Sequence, residues 1–127
     1  MDPIRIMKGL FIYCQESPPE WRGGQKLYEF EPYNWGPVSF DIYRDLDALG
    51  AFGLASARER PGATWRYYQA TPRGKALVES IKAGLDPKAV RYLEALRRFT
   101  LSLGFHDLLR AVYKKYPDYA VNSVFKF

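Results

Sequence analysis

The 127-residue sequence contains one cysteine, Cys14, and one histidine, His106. A lone cysteine makes no internal disulfide. With a lone histidine it cannot assemble the Cys/His sets that hold zinc, and it leaves thiol catalysis with little to work from. Long apolar runs are also missing: none approaches the roughly 18 residues needed to cross a bilayer. Met1-Asp2-Pro3-Ile4-Arg5 lacks the basic start and unbroken apolar stretch of a signal peptide. A cytoplasmic chain with no membrane association is expected. Glycine-rich phosphate loops are absent too, since neither Gly23-Gly24 nor Gly50-Ala51-Phe52-Gly53 matches a nucleotide fingerprint. Ser102, His106 and Asp107 are the residue types of a nucleophilic triad, but they crowd one helix start, where Asp107 suits the first-turn dipole. Glu29 and Glu31 alternate along a short strand, which accounts for them without a catalytic pair. Cys14, inside Leu10-Phe11-Ile12-Tyr13-Cys14, reads as a small buried hydrophobe. No enzyme, cofactor, metal or catalytic residue is expected.

What is present is enough apolar and aromatic material, 47% and 17%, to fill one core. A single domain over 1–127 follows, with 86–127 as a helical extension ending in an aromatic tail. Charge is divided unevenly. Residues 1–53 carry five Lys+Arg against eight Asp+Glu, a net of −3, and residues 54–127 carry fourteen against six, a net of +8. The basic second half suits a polyanion, although solvated helix faces use lysine and arginine in the same way.

Asp2-Pro3 is a helix cap and first-turn proline, and Met7, Leu10, Phe11 and Cys14 recur at helical spacing, predicting a first helix over 3–16. Ile6, Ile12 and Tyr13 add apolar surface outside that stripe, so the helix should be central and covered on more than one side. Pro18, Pro19, Gly23 and Gly24 predict a loop up to about Gln25. Leu27 to Tyr33 suits a strand, and Trp35-Gly36-Pro37-Val38-Ser39 a turn delivering Ser39 as N-cap of a second helix. From Leu54 to Ala70 the pattern is a hairpin around Arg60-Pro61-Gly62-Ala63, with Trp65, Tyr67 and Tyr68 on the returning strand. Thr71-Pro72 opens a third helix with Ala76, Leu77, Ser80 and Ile81 on its buried side. Asp86-Pro87 opens a fourth with Val90, Leu93, Leu96 and Phe99 inward. A fifth, after Gly104, presents Leu108, Leu109, Val112 and Tyr116, is closed by Pro117 and leads to an extended tail. The expected core unites Trp35, Ile42, Leu46, Leu49, Tyr68, Leu77, Leu93 and Leu109. The fold class is α+β, mostly α: a winged-helix-like domain, helices plus a β-hairpin wing, with two extra C-terminal helices.

Two resemblances accompany this order. Gly36-Pro37-Val38-Ser39 with Ile42-Tyr43-Arg44-Asp45-Leu46, and Tyr67-Tyr68-Gln69-Ala70-Thr71-Pro72-Arg73-Gly74, resemble PadR-type and related winged-helix regulators, whose wing ends in an aromatic and then Thr-Pro/Glu-x-Gly. Phe30-Glu31-Pro32-Tyr33-Asn34-Trp35-Gly36-Pro37-Val38-Ser39 and Leu108-Leu109-Arg110-Ala111-Val112-Tyr113-Lys114-Lys115-Tyr116-Pro117 resemble prokaryotic proteins related to the Panacea antitoxin domain. That resemblance implies pairing with toxins, service as a proteolytic adaptor, or regulation.

The chain departs from the regulator pattern in two respects. Only two helices precede the wing, and the second exposes Asp41 and Asp45, with Asp47 at its edge, against Arg44 alone. Since phosphate contact dominates nucleic-acid affinity, that helix is poorly suited to the major groove. The wing is better suited: Arg58, Arg60, Arg66, Arg73 and Lys75 against Glu59 give a local +4. The expected nucleic-acid-binding residues are therefore Arg44, Arg58, Arg60, Arg66, Arg73 and Lys75, and the expected partners are DNA and a second copy of the chain. The alternative is a protein-interaction module that holds a toxin or other protein through Asp41, Asp45, Tyr119 and Phe125.

Overall fold

The computed structural model describes residues 1–22, 27–62 and 65–127, so Gly23, Gly24 and Gln25 of the first loop and Ala63 of the hairpin turn lie outside the described residues. Among the described residues, five α-helices and two two-stranded antiparallel sheets follow the order α1 (Pro3–Glu16), β1 (Glu31–Tyr33), β2 (Gly36–Val38), α2 (Phe40–Ala51), β3 (Ala55–Arg58), β4 (Tyr67–Ala70), α3 (Pro72–Lys82), α4 (Pro87–Ser102) and α5 (Phe105–Lys115). Short 3₁₀ turns occupy Pro19–Arg22 and Pro117–Ala120. The chain is thus α+β and mostly helical. None of its described helices is long and apolar enough to cross a membrane.

Helix α1 is the spine. Asp2 caps it by accepting from the Arg5 backbone N–H at 2.9 Å, and Pro3 fills the first turn. One side of α1 brings Phe11, Ile12 and Tyr13 against Leu96 of α4 and Leu109, Val112 and Tyr113 of α5. The other brings Met7 against Val38, Ile42 and Leu46. Fully enclosing side chains of this size stabilises by about 1.5–3 kcal/mol each. Arg5 then ties α1 to the end of α4, its guanidinium donating to the carbonyls of Thr100 at 3.0 Å and Leu103 at 2.7 Å. Those oxygens lie where a helix runs out of its own donors.

The segment expected to be a turn before α2 is a strand. Gly36–Val38 pairs with Glu31–Tyr33 in the register Glu31 to Val38 and Tyr33 to Gly36. Gly36 takes φ +86°, and a Cβ there would stand 2.8 Å from the Tyr113 ring, so only glycine lets this hairpin close onto α5. Ser39 occupies the N-cap position, but its side chain makes no capping bond. The tail is not extended. It turns back over the hairpin, where Val124 N–H donates to the Asn34 carbonyl at 3.0 Å and Tyr113 hydroxyl donates to Ser123 Oγ at 2.6 Å.

The expected core needs correction at four positions. Ile42, Leu46 and Leu109 are buried and Tyr68 is half-buried, whereas Trp35, Leu49, Leu77 and Leu93 are 37–43% exposed. On α4 the inward residues are Ala89, Leu96 and Thr100, while Leu93 and Phe99 face out. The buried side of α4 thus runs through two small or polar residues as well as Leu96, with Thr100 set beside Gly9 of α1, and its phase differs from the one read from large apolar residues alone. On α3 the expected inner side of Ala76, Leu77, Ser80 and Ile81 is exposed throughout, and only Gly74 is buried. Trp65 lies before β4 rather than in it.

Candidate nucleic-acid interface

The β3–β4 hairpin pairs Ala55 with Ala70 and Arg58 with Tyr67. Its outer edge is taken up by Met1, whose nitrogen donates to the Tyr68 carbonyl and whose carbonyl accepts from the Tyr68 N–H, both at 2.7 Å. The hairpin is therefore joined directly to the start of α1. On its other side it leads into α3 through Thr71, which accepts from Gly74 N–H at 3.1 Å and donates to the Gly53 carbonyl at 2.7 Å. Gly74 sits so close to the chain behind it that a Cβ would lie 2.0 Å from the Leu54 oxygen. The Thr71-Pro72-Arg73-Gly74 motif thus caps a helix and clamps its first turn onto the base of the β3–β4 hairpin.

Between the hairpin, α2, α3 and the end of α4 lies an open groove of about 1090 Å³. Its apolar floor includes Ile6, Leu49, Leu54, Leu77, Val78 and Ile81, and its charged groups are Arg58, Arg60, Lys75 and Arg97 against Glu59. Four cations against one carboxylate make the groove electropositive. Arg60 is held with its guanidinium 3.9 Å from the centre of the Tyr67 ring, which fixes its direction without neutralising it. Arg58, Lys75 and Arg97 form no ion pair among the described residues, so their charges remain available.

Of the six cations expected from the sequence, Arg58, Arg60 and Lys75 line this groove. Arg66 is exposed beside the hairpin and faces Glu59 at 3.8 Å. Arg73 lies on the first turn of α3, and Arg44 belongs to α2, where it is paired with Asp41. Arg97 was missed, because an arginine in mid-helix reads as solvated until the fold carries α4 back to the β3–β4 hairpin.

Residues of the alternative surface are dispersed. Asp45 accepts a hydrogen bond from Tyr28, whose phenol is pushed up by burial and by that carboxylate. Tyr119 is half-buried, its ring centre 4.7 Å from that of Phe11, and Phe125 packs on Phe105 at 5.6 Å. The Ser102, His106 and Asp107 side chains each go elsewhere: Ser102 donates to the Phe99 carbonyl at 2.8 Å, His106 stacks edge-on with Phe125 at 5.0 Å, and Asp107 faces Arg110 at 3.7 Å. Burial pushes the Cys14 thiol up, away from reactivity. Among the described residues, no group of three His, Cys, Asp or Glu is placed to hold a metal ion.

Compared with protein-family models, with curated proteins and with solved structures, the chain matches none of them.

Proposed function

We propose that the chain is a winged-helix DNA-binding protein and transcriptional regulator, with the β3–β4 hairpin as its wing and the adjoining groove edge as its phosphate-contacting surface. The observation that carries this reading is the convergence of Arg58, Arg60, Lys75 and Arg97, from three separate elements, around one carboxylate. The element order supports it, as does the resemblance of the segment ending Thr71-Pro72-Arg73-Gly74 to PadR-type wings. α2, where Arg44 is paired with Asp41 and Asp45 and Asp47 remain exposed, takes no part in groove reading.

The test is electrophoretic mobility shift on duplex DNA. Wild type shifts duplex at about 50 mM salt, and Arg60→Glu with Arg97→Glu weakens binding to all sequences by at least about 10-fold, flattening the slope of log K against log salt by about 2 units. Asp41→Lys with Asp45→Lys leaves binding unchanged or tightens it. Wild type that shifts no duplex at this salt removes the reading.

A second reading, a protein-interaction module of the Panacea antitoxin type, is favoured by Phe40 and Phe52, 49% and 67% exposed at the two ends of acidic α2. On that reading the two variants exchange roles in a pull-down. The Asp41/Asp45 reversal releases the protein partner and the arginine reversal does not.

A further inference from the structure

The groove beside the β3–β4 hairpin presents two chemistries, and a duplex answers only one of them. Phosphates suit Arg58, Arg60, Lys75 and Arg97, but a DNA backbone brings nothing apolar to the floor. That floor is aliphatic. Leu49 of α2 and Leu77, Val78 and Ile81 of α3 share it, each 40–48% exposed. An apolar surface rimmed by charge is the usual form of a ligand site, and the groove, about 1090 Å³, lies at the upper end of the roughly 300–1,000 Å³ that such sites enclose.

The rim is almost of one sign. Its carboxylate among the described residues, Glu59, is faced by Arg66 at 3.8 Å, which further reduces the negative charge offered to the groove. Arg60 of the hairpin and Arg97 of α4 both lie close enough to the Met1 nitrogen for their charges to be felt there: its hold on a proton is lowered by burial first and, among the opposing charges, by these two guanidinium groups. Positive charge is therefore concentrated at the Met1 corner of the groove. We propose that the groove binds a free single-chain anionic amphiphile, such as a fatty acid, with its hydrocarbon chain along Leu49, Leu77, Val78 and Ile81 and its carboxylate or phosphate head on Arg60 and Arg97. Charge complementarity sets the sign of the head, and the aliphatic floor sets the nature of the tail. Because head and DNA phosphate need the same guanidinium groups, the amphiphile displaces DNA. This regulatory part rests on the DNA-binding reading; the binding of the amphiphile does not.

Isothermal titration calorimetry of the full chain with octanoate, decanoate and dodecanoate, each below its micelle-forming concentration, tests the site directly. One molecule binds per chain, and affinity rises about 2- to 4-fold for each CH₂ added, as partial to full burial of a methylene requires. Dodecyltrimethylammonium, with the same tail and the opposite charge, binds at least about 10-fold more weakly. Arg60→Gln with Arg97→Gln weakens dodecanoate binding at least about 10-fold, as loss of charge-assisted contacts does. Leu77→Asn with Ile81→Asn removes most of the gain per CH₂, while Leu101→Asn, on an exposed residue at the far end of α4, binds as wild type. All three keep the core's near-ultraviolet circular dichroism. In the mobility shift, dodecanoate releases duplex from the wild type and acetate at the same concentration does not. The site is overturned by equal affinity for the two head groups, by affinity independent of tail length, by either double variant binding as wild type, by an equal loss in Leu101→Asn, or by binding to phosphatidylglycerol vesicles without binding to the monomeric acids. Duplex and dodecanoate held together overturn the displacement alone. A chain that binds dodecanoate and shifts no duplex keeps this site and loses the DNA reading, and a chain that shifts duplex and binds no dodecanoate does the reverse.

Discussion

The α1–α5 side of the molecule and the side formed by the β3–β4 hairpin and α3 use apolar residues in opposite ways. Met7, Phe11, Leu108 and Leu109 are completely enclosed, and the rings of Tyr116 and Tyr119 stand edge-on to Phe11 at 5.1 and 4.7 Å. On α3, by contrast, only a glycine is buried. Both helices are amphipathic in sequence. The difference lies in what the chain brings to them: α1 lies between two layers, and α3 forms one wall of an open groove. An amphipathic pattern states that a side must be covered and is silent about the cover.

Substitutions at matched depths sharpen this contrast. The largest effect is expected from Phe11→Ala, which removes the ring at the centre of the aromatic cluster and should cost about 3–5 kcal/mol in denaturant unfolding. A cost near that of an exposed site would mean that the two sides are not different. Gly74→Ala places a methyl against the Leu54 carbonyl and should cost about 1–3 kcal/mol, the usual range for overpacking. Hydrogen exchange should show that loss confined to α3 and the base of the β3–β4 hairpin, with α1 and α5 still protected. Protection lost equally everywhere would contradict a clamp local to the first turn.

The smallest effect, per pH unit, belongs to Lys8. Its ammonium is fully enclosed, donates to the Pro37 carbonyl at 3.0 Å, and is pulled by burial from 10.5 down to about 7. The folded pKa lies below the unfolded one, so between pH 7 and 10.5 the unfolded chain binds the extra proton. Stability therefore rises with pH across that window, by at most about 1.4 kcal/mol per unit, and does not change on this account below it. Lys8→Met removes the dependence. Urea unfolding of both proteins at pH 7 and 9.5 checks it, the wild type gaining relative to the variant; a difference that stays constant would mean that Lys8 keeps its charge when folded.

Much of the local structure was legible in advance. Three Asp-Pro or Thr-Pro pairs, at Asp2, Thr71 and Asp86, mark three helix starts, and in each the side chain accepts a backbone N–H. Proline and a capping carboxylate or hydroxyl act within one turn, so nothing distant alters their message. The β3–β4 hairpin was legible for a similar reason, its turn residues lying between two short strands. Gly36–Val38 was not, because a three-residue strand containing Pro37 has a turn's composition, and its pairing depends on Tyr113, far along the chain, receiving Gly36.

The basic surface divides along the same line. Arg58, Arg60 and Lys75 were visible as a local excess of charge beside a turn, and their neighbourhood in sequence is also their neighbourhood in space. Arg97 joins them only because the end of α4 lies beside the start of α1 and so near the β3–β4 hairpin, where Met1 is hydrogen-bonded to Tyr68. Leu93 misled for the converse reason: periodicity weights large apolar residues, while the buried side of α4 runs through Ala89, Leu96 and Thr100, two of them small or polar. By itself the sequence determined where helices begin, where the hairpin turns and which half carries positive charge, since capping, turn geometry and charge act over a few residues. Tertiary structure alone decided which apolar sides are enclosed, that Lys8 is buried, and that Arg97 completes the groove, since those depend on which elements come within contact distance.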